Sequence, residues 1–191
     1  MPKTDVATSA TPRRVRTAAL IVLALVAVGI YLVDQGAKAL VLANLAEYER
    51  VPVLGELLQF YLVKNAGAAF SIGSGTTWIF AIIATAVVVF IVIFAHRIRS
   101  LGWAVLFGLL LGGNAGNLTD RLTREPGFGV GHVIDFIQIY GFPAIFNVAD
   151  MAIVFSMAIF VILTIRGVRL DGTRVEKKVD SETAAPIETP E

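Results

Sequence analysis

Four long apolar runs dominate this chain, and each is long enough to cross a lipid bilayer. They lie at 17–33, 76–95, 101–119 and 146–165, and Asp150 is their one charged residue. Crossing the hydrocarbon core takes about 20 apolar residues, with a range of about 17–25. In lipid every backbone polar group must be bonded internally, which helices achieve within one segment. We therefore expect a mainly α membrane protein built as a four-transmembrane-helix bundle.

Composition narrows the possible functions. Hydrophobic residues make up 56% of the 191 residues. The net charge is only +1, so the sequence does not indicate a basic surface for binding nucleic acid. Cysteine is absent, which excludes thiolate metal sites and cysteine nucleophiles. Histidine occurs only at 96 and 132. We expect no metal and no cofactor.

The first run also has the flanks of a cleaved signal peptide, with basic residues before it and Ala37-Lys38-Ala39 behind it. A retained span is favoured, because the run is long and the polar residues at 34–38 suit a site. The domain prediction is a cytoplasmic tail at 1–16, a membrane domain at 17–166 with spans at about 17–37, 76–95, 101–120 and 146–166, and a disordered cytoplasmic tail at 167–191.

Lys and Arg are distributed unevenly between the two sides of such a bundle. The side of the termini carries eleven: Lys3, Arg13, Arg14, Arg16, Arg97, Arg99, Arg166, Arg169, Arg174, Lys177 and Lys178. The other side carries five: Lys38, Arg50, Lys64, Arg121 and Arg124. Cytoplasmic loops carry the excess of Lys and Arg. Both termini are therefore predicted in the cytoplasm, with the loops 39–75 and 121–145 facing outward.

The outward loops contain two segments with strand character. Residues 59–63 are rich in aromatic and β-branched side chains, and 132–140 alternate so that Val133, Asp135 and Ile137 share a face. The glycines at 127–131 lack the Lys-Ser/Thr of a phosphate loop and indicate a flexible turn. A small β-rich extracytoplasmic element is expected.

Four acids are predicted to lie at one membrane face. Asp34, Asp120 and Asp150 fall at the outer ends of spans, and Asp135 lies in the outward loop. Ionisable residues within spans are functional candidates by default. Structural interpretations remain open for three of them: an ion pair of Asp34 with Lys38 at i,i+4, a buried cationic partner for Asp120, and a helix start with Asn147 as N-cap and Asp150 at N3.

Asp135 has no such local explanation, since it lies mid-strand among apolar residues. A pair of close carboxylates shares one proton, so that one can activate water while the other donates a proton. Asp135 and Asp150 together suit aspartyl hydrolysis. The serines have no evident general base, and metal chemistry would need further ligands. Helical spacing places Gly113, Asn117 and Asp120 toward the bundle and Arg121 elsewhere.

Five motifs in chain order resemble those of the lipoprotein signal peptidase (signal peptidase II) family. They are DQGAK at 34–38, NAGAAF at 65–70, GGNAGNLTDR at 112–121, VIDF at 133–136 and FNVAD at 146–150. The resemblance covers about 20–165. It implies a membrane aspartyl endopeptidase of the bacterial cytoplasmic membrane, which cuts prolipoproteins before a diacylglyceryl-modified cysteine.

The resemblance also implies the site and the partners. Asp135 and Asp150 would be catalytic, and the remaining site residues would bind substrate or support the site: Asp34, Lys38, Asn65, Gly67, Phe70, Gly113, Asn117, Asp120, Arg121 and Asn147. The expected partners are lipid-modified prolipoproteins and membrane lipid, with the enzyme as a monomer. An ion- or proton-coupled transporter is the rival class, although transporters place their sites near the midplane and often show repeats. A membrane scaffold is a third.

Overall fold

The computed structural model describes residues 12–67 and 76–174. Its four long helices are α1 (Pro12–Asn44), α2 (Thr77–Phe94), α3 (Leu101–Thr123) and α4 (Val148–Ile165). All four are long and apolar enough to span a membrane, with mean hydropathy between 1.3 and 3.0 in their most apolar stretches. Large apolar side chains such as Leu25, Val92 and Val154 stay exposed on the outside of the bundle. The predicted helical membrane architecture is confirmed.

Helix α3 lies at the centre of the bundle and packs against the other three helices. Its glycines make this close approach possible. A Cβ atom at Gly112 would lie 2.5 Å from the Ala27 carbonyl oxygen of α1. One at Gly113 would lie 2.6 Å from the Ala149 carbonyl oxygen of α4. Small residues at such crossings let helix backbones approach within membranes.

Helix α1 ends later than the sequence predicts, at Asn44 instead of residue 37. Asp34 and Lys38 consequently lie inside the helix and not at its end. The additional turns are held by packing, because Val41 belongs to an apolar cluster with Leu62 and Phe136 of the sheet. The sequence prediction ended α1 too early because it ended the helix close to the first charged residue after the apolar run.

A four-stranded antiparallel sheet, in the order β1-β2-β3-β4, lies against one end of the bundle. Its strands are β1 (Arg50–Leu54), β2 (Leu58–Asn65), β3 (Val133–Ile139) and β4 (Ile145–Phe146). The strands predicted at 59–63 and 132–140 correspond to β2 and β3, whereas β1 and β4 were not predicted. Val63 lies opposite Asp135 and Asn65 opposite Val133. This register places Asn65 and Asp135 on the same face of the sheet.

The glycine-rich segment before β3 returns the chain to the end of α3. Gly129 adopts a positive φ of 77°, which L side chains rarely adopt. The Gly131 amide donates to the Arg121 carbonyl oxygen at 3.0 Å. Residues 127–131 thus form the expected turn, and this turn fixes where β3 starts relative to the bundle.

The close approach of α1 and α3 predicts a difference between two Gly→Ala variants. Gly112→Ala should lower the free energy of unfolding by about 1–3 kcal/mol, because the methyl group must displace backbone atoms of α1. Gly29→Ala is the matched control, since a Cβ atom there meets nothing within 4 Å. Thermal unfolding in detergent should show a lower Tm for the first variant only. Equal Tm values would contradict the tight crossing.

Candidate active site

A buried lysine of α1 ties this helix to α3. Lys38 Nζ lies 2.8 Å from Asp34 Oδ2 and 2.7 Å from Asp120 Oδ2, and all three side chains are 0% exposed. Its third hydrogen bond goes to Asn117 Oδ1 at 3.0 Å. An ammonium group has three N–H donors, so each one is used. The predicted Asp34–Lys38 pair and the predicted cationic partner of Asp120 are both confirmed.

The two carboxylates extend this cluster to α4 and the sheet. Asp34 Oδ1 accepts the Ala149 backbone N–H at 2.9 Å. Asp120 Oδ2 accepts the Ile134 backbone N–H at 3.3 Å, and its Oδ1 accepts Arg124 Nε at 2.6 Å. Two cations therefore balance two carboxylates, which buried charges require.

Two members of the cluster were missed from the sequence. Gln35 Nε2 donates to Asp34 Oδ2 and to the Gly116 carbonyl oxygen, both at 3.1 Å. Arg124 follows Asp120 by four residues, so the i,i+4 spacing that identified Lys38 would have identified it too. Gln35 carries no such signal, because its partners on α3 are more than 80 residues away.

Asp135 and Asp150 form a second polar group beside the first. Asp135 is 4% exposed; its Oδ2 accepts Asn65 Nδ2 at 2.8 Å and its Oδ1 accepts Asn147 Nδ2 at 2.6 Å. Asp150 Oδ1 accepts Asn117 Nδ2 at 2.9 Å, and Oδ2 accepts the Asn147 backbone N–H at 3.1 Å. Three asparagine amides thus hold the two acids.

Among the residues that the structure describes, Asn147 alone bonds to both acids. Its Oδ1 accepts the Asp150 backbone N–H at 3.0 Å, which with the reciprocal bond makes a capping box at the start of α4. Its Nδ2 reaches Asp135 and, at 3.2 Å, Asn117 Oδ1. The N-cap interpretation of Asn147 and Asp150 is therefore correct, and it does not compete with a site. The helix start itself brings Asp150 to Asp135.

The pKa of Asp135 is raised from 3.8 to about 7, and burial is the largest cause. The neighbouring Asp150 carboxylate also raises this pKa, while the hydrogen bonds from Asn65 and Asn147 favour the ionised form and keep the pKa from rising more. At neutral pH this carboxyl group therefore exists in both protonation states, so it is able both to donate and to accept a proton.

Arg121 is 7% exposed and lines the same cavity as Asn117, so the prediction that it points elsewhere than the bundle is wrong. Its Nη2 donates to the Gly67 carbonyl oxygen at 2.7 Å, and its guanidinium lies 5.2 Å from the Phe80 ring centroid. Nη1 is buried without a hydrogen-bond partner in the described part of the chain. The Gly67 amide donates to Asn65 Oδ1 at 3.0 Å, which turns Asn65 Nδ2 toward Asp135. Phe70, also predicted for the site, lies outside the described residues.

A cavity of about 610 Å³ opens onto the two acids. Asp135, Asp150, Asn65, Asn117 and Arg121 line its polar end. The rest of its wall is apolar and includes these side chains of β3, the following turn, β4 and α4: Val133, Ile139, Phe142, Ile145, Phe146, Met151, Ile153, Val154 and Phe155. Such a cavity fits an amphipathic substrate with a polar bond beside an apolar group.

The family model for signal peptidase (SPase) II matches residues 26–166, which include every residue of this site. The chain belongs to the signal peptidase II family. The lipoprotein signal peptidase of Leifsonia xyli is 61% identical over 170 residues, covering 88% of this chain and 79% of that relative. That of Streptomyces coelicolor is 49% identical over 158 residues, covering 83% and 76%. The resemblance drawn from the five motifs is confirmed.

Solved structures agree with this membership. One, described as a bacterial membrane enzyme, superimposes with a TM-score of 0.68 at 28% identity and covers 80% of this chain and 93% of the other. A second matches with a TM-score of 0.65 at 29% identity and covers 74% of this chain and 91% of the other. The bundle with its small sheet is thus shared with known membrane enzymes.

In this member of the signal peptidase II family, the buried Lys38 cluster should contribute strongly to stability. Asp34→Asn should lower the free energy of unfolding by about 3–5 kcal/mol, because it leaves Lys38 under-compensated in the interior. Glu47→Gln is the control, since its 3.4 Å pair with Lys64 is 34–38% exposed and should contribute less than about 1 kcal/mol. Melting temperatures of the wild type and both variants in one detergent measure the two losses of stability. Equal shifts would show that burial adds nothing to the Lys38 pairs.

Proposed function

We propose that this chain removes signal peptides from prolipoproteins with Asp135 and Asp150 as its catalytic pair. The observation that carries the proposal is the pair of hydrogen bonds from Asn147, one to each acid, at the polar end of an amphipathic cavity. Membership of the signal peptidase II family supplies the reaction. The geometry supports the choice of acids.

The two acids have different roles in peptide hydrolysis. Asp150, ionised and hydrogen-bonded to Asn117, takes a proton from a water molecule as the water oxygen attacks the scissile carbonyl carbon. Asp135, protonated because burial raises its pKa to about 7, donates its proton to the carbonyl oxygen. The C–N bond then breaks: the leaving nitrogen takes the proton held by Asp150, and the hydroxyl proton returns to Asp135. Both acids end as they began.

The surrounding residues orient this pair and the substrate. Asn65, Asn117 and Asn147 fix the carboxylate oxygens by direct hydrogen bonds. Arg121 Nη1, which has no partner among the described residues, can donate to a backbone carbonyl oxygen of the bound peptide. Arg121 also holds Gly67, and Gly113 keeps α3 close to the start of α4. Lys38, Asp34 and Asp120 support the site without contacting the substrate.

The apolar part of the cavity is suited to the lipid-modified residue of the precursor. Ile153, Val154 and Phe155 of α4 line it, and Val154 and Phe155 are also exposed on the outside of the bundle. A substrate held in the membrane by its lipid can therefore reach the acids along α4. The excess of Lys and Arg on the side of the termini supports cytoplasmic termini and a site near the outer membrane face.

Replacing either acid tests the proposed pair. Asp135→Asn and Asp150→Asn should each lower turnover of a lipidated precursor by about 10²–10⁴-fold, because asparagine can neither take nor give the proton. The double variant should be little worse than either single one, since members of one catalytic unit do not add. Cleavage per folded molecule, followed on gels alongside the melting temperature, measures this.

Asp171→Asn is the matched control for these variants. Asp171 is an exposed acid in the loop after α4, so its loss should leave turnover unchanged. A precursor of identical sequence without the lipid should be cut far more slowly by the wild type. Near-normal turnover by Asp135→Asn in folded protein would show that the catalytic pair is wrong.

The pKa of Asp135 predicts the pH dependence. The value of kcat/KM, which reports groups of the free enzyme, should fall as pH rises through about 7, because Asp135 then loses the proton it must donate. Asn65→Ala should move this limb to higher pH, since the lost hydrogen bond favours the ionised form. Initial rates from about pH 5 to about pH 9, measured for the wild type and for Asn65→Ala, locate this fall in kcat/KM for each enzyme. A shift of the Asn65→Ala limb to lower pH would contradict the assignment.

A further inference from the structure

A second cavity, of about 510 Å³, lies at the far end of the sheet from α3. We call it the distal pocket; its lining comprises Arg50, Glu56, Gln59, Gln138 and the segment 139–143. Successive side chains of a strand point to opposite faces, so Gln138 points away from the face that carries Asp135. The hydrolysis described above does not use this pocket.

The wall of the distal pocket combines polar side chains of the sheet with apolar ones of the segment 139–143, and it carries no net charge. Gln59 and Gln138 lie directly opposite each other in the β2–β3 register, and Arg50 and Glu56 add one charge of each sign. Gln138 Oε1 is buried and accepts no hydrogen bond from the described residues. Buried polar atoms are nearly always bonded, so this oxygen is suited to accept an N–H from a ligand. The lining therefore fits an uncharged, polar backbone better than an acidic or basic group.

The distal pocket adjoins the active-site cavity. Ile139 and Phe142 line both, so the turn at 140–143 forms the wall between them. Asp135 and Gln138 are three residues apart in β3, about 10 Å along the strand, and a peptide must also pass the turn at 140–143 to reach the other face. An extended peptide rises by about 3.3 Å per residue, so it needs at least about three to four residues to reach the distal pocket.

The direction of the substrate decides which peptide segment reaches the distal pocket. The apolar walls along α4 suit the lipid-bearing, membrane-embedded part of the precursor. The chain that follows the scissile bond must then leave on the side away from α4, toward the turn at 140–143. We infer that the distal pocket binds the polar peptide segment about three to five residues beyond the scissile bond, with a backbone N–H donating to Gln138 Oε1. This inference rests on the proposed function.

Two precursors that differ only in length test it. Both carry the same signal peptide and lipid; the short one ends two residues after the scissile bond and the long one about eight. Wild-type enzyme should show a KM for the long precursor about 3- to 10-fold below that for the short one, the size of one or two net hydrogen bonds. The kcat values should stay similar, because a contact remote from the acids is equally strong before and during reaction.

Variants in the pocket should abolish this preference. Gln138→Leu, and separately Gln59→Leu, should bring the KM ratio of the two precursors close to one. Lys64→Gln is the matched control, because Lys64 is an exposed residue of the same sheet outside the pocket lining, and its ratio should equal that of the wild type. Using the ratio within each variant removes any effect of its folded fraction.

The possible failures are distinguishable. Cleavage of both precursors with equal KM by the wild type, or an unchanged ratio in both glutamine variants, would overturn the distal-pocket assignment and leave the proposed function intact. Absence of cleavage of both precursors by folded wild-type enzyme would overturn the proposed function, and the pocket assignment with it.

Discussion

Lys38 carries a charge at a position with no exposed surface, and the arrangement of the site depends on how that charge is compensated. Its carboxylate partners come from α1 and α3, and the same two carboxylates bind backbone amides at the start of α4 and in β3. A buried charge that loses one partner is strongly destabilising. The elements that carry the acids are therefore held in place by an interaction that tolerates little displacement.

The polar groups of the site are coupled through asparagines. Asn117 accepts from Lys38 and donates to Asp150, so the buried cation also fixes the direction of an amide beside a catalytic candidate. Asn147 caps α4 while bonding both acids. Each amide has two donors and an acceptor, which suits it to join a cation and a carboxylate. The hydrogen bonds that stabilise the buried charge are thus the same ones that orient the proposed catalytic acids.

On the proposed substrate path the sheet contributes two different surfaces. One face carries Asp135 and completes an amphipathic cavity with α4; the other face and the turn at 140–143 form a pocket with no net charge, lined in part by two glutamines. This division matches the chemistry of a prolipoprotein, which is apolar up to the modified residue and polar beyond it. Apolar contact with α4 would fix the depth of the substrate, while hydrogen bonds at the sheet would fix its register.

Local spacing in the sequence determined much of this protein. The four spans, strands β2 and β3, the i,i+4 pair of Asp34 with Lys38 and the cap at Asn147 all follow from residues close together in the chain. The motifs also named the described polar groups that line the cavity. The length of α1, strands β1 and β4 and the contacts of Gln35 followed only from tertiary packing. Asp34 reaches the Ala149 amide across 115 residues, and burial sets the pKa of Asp135, so both depend on which surfaces meet when the helices and sheet assemble.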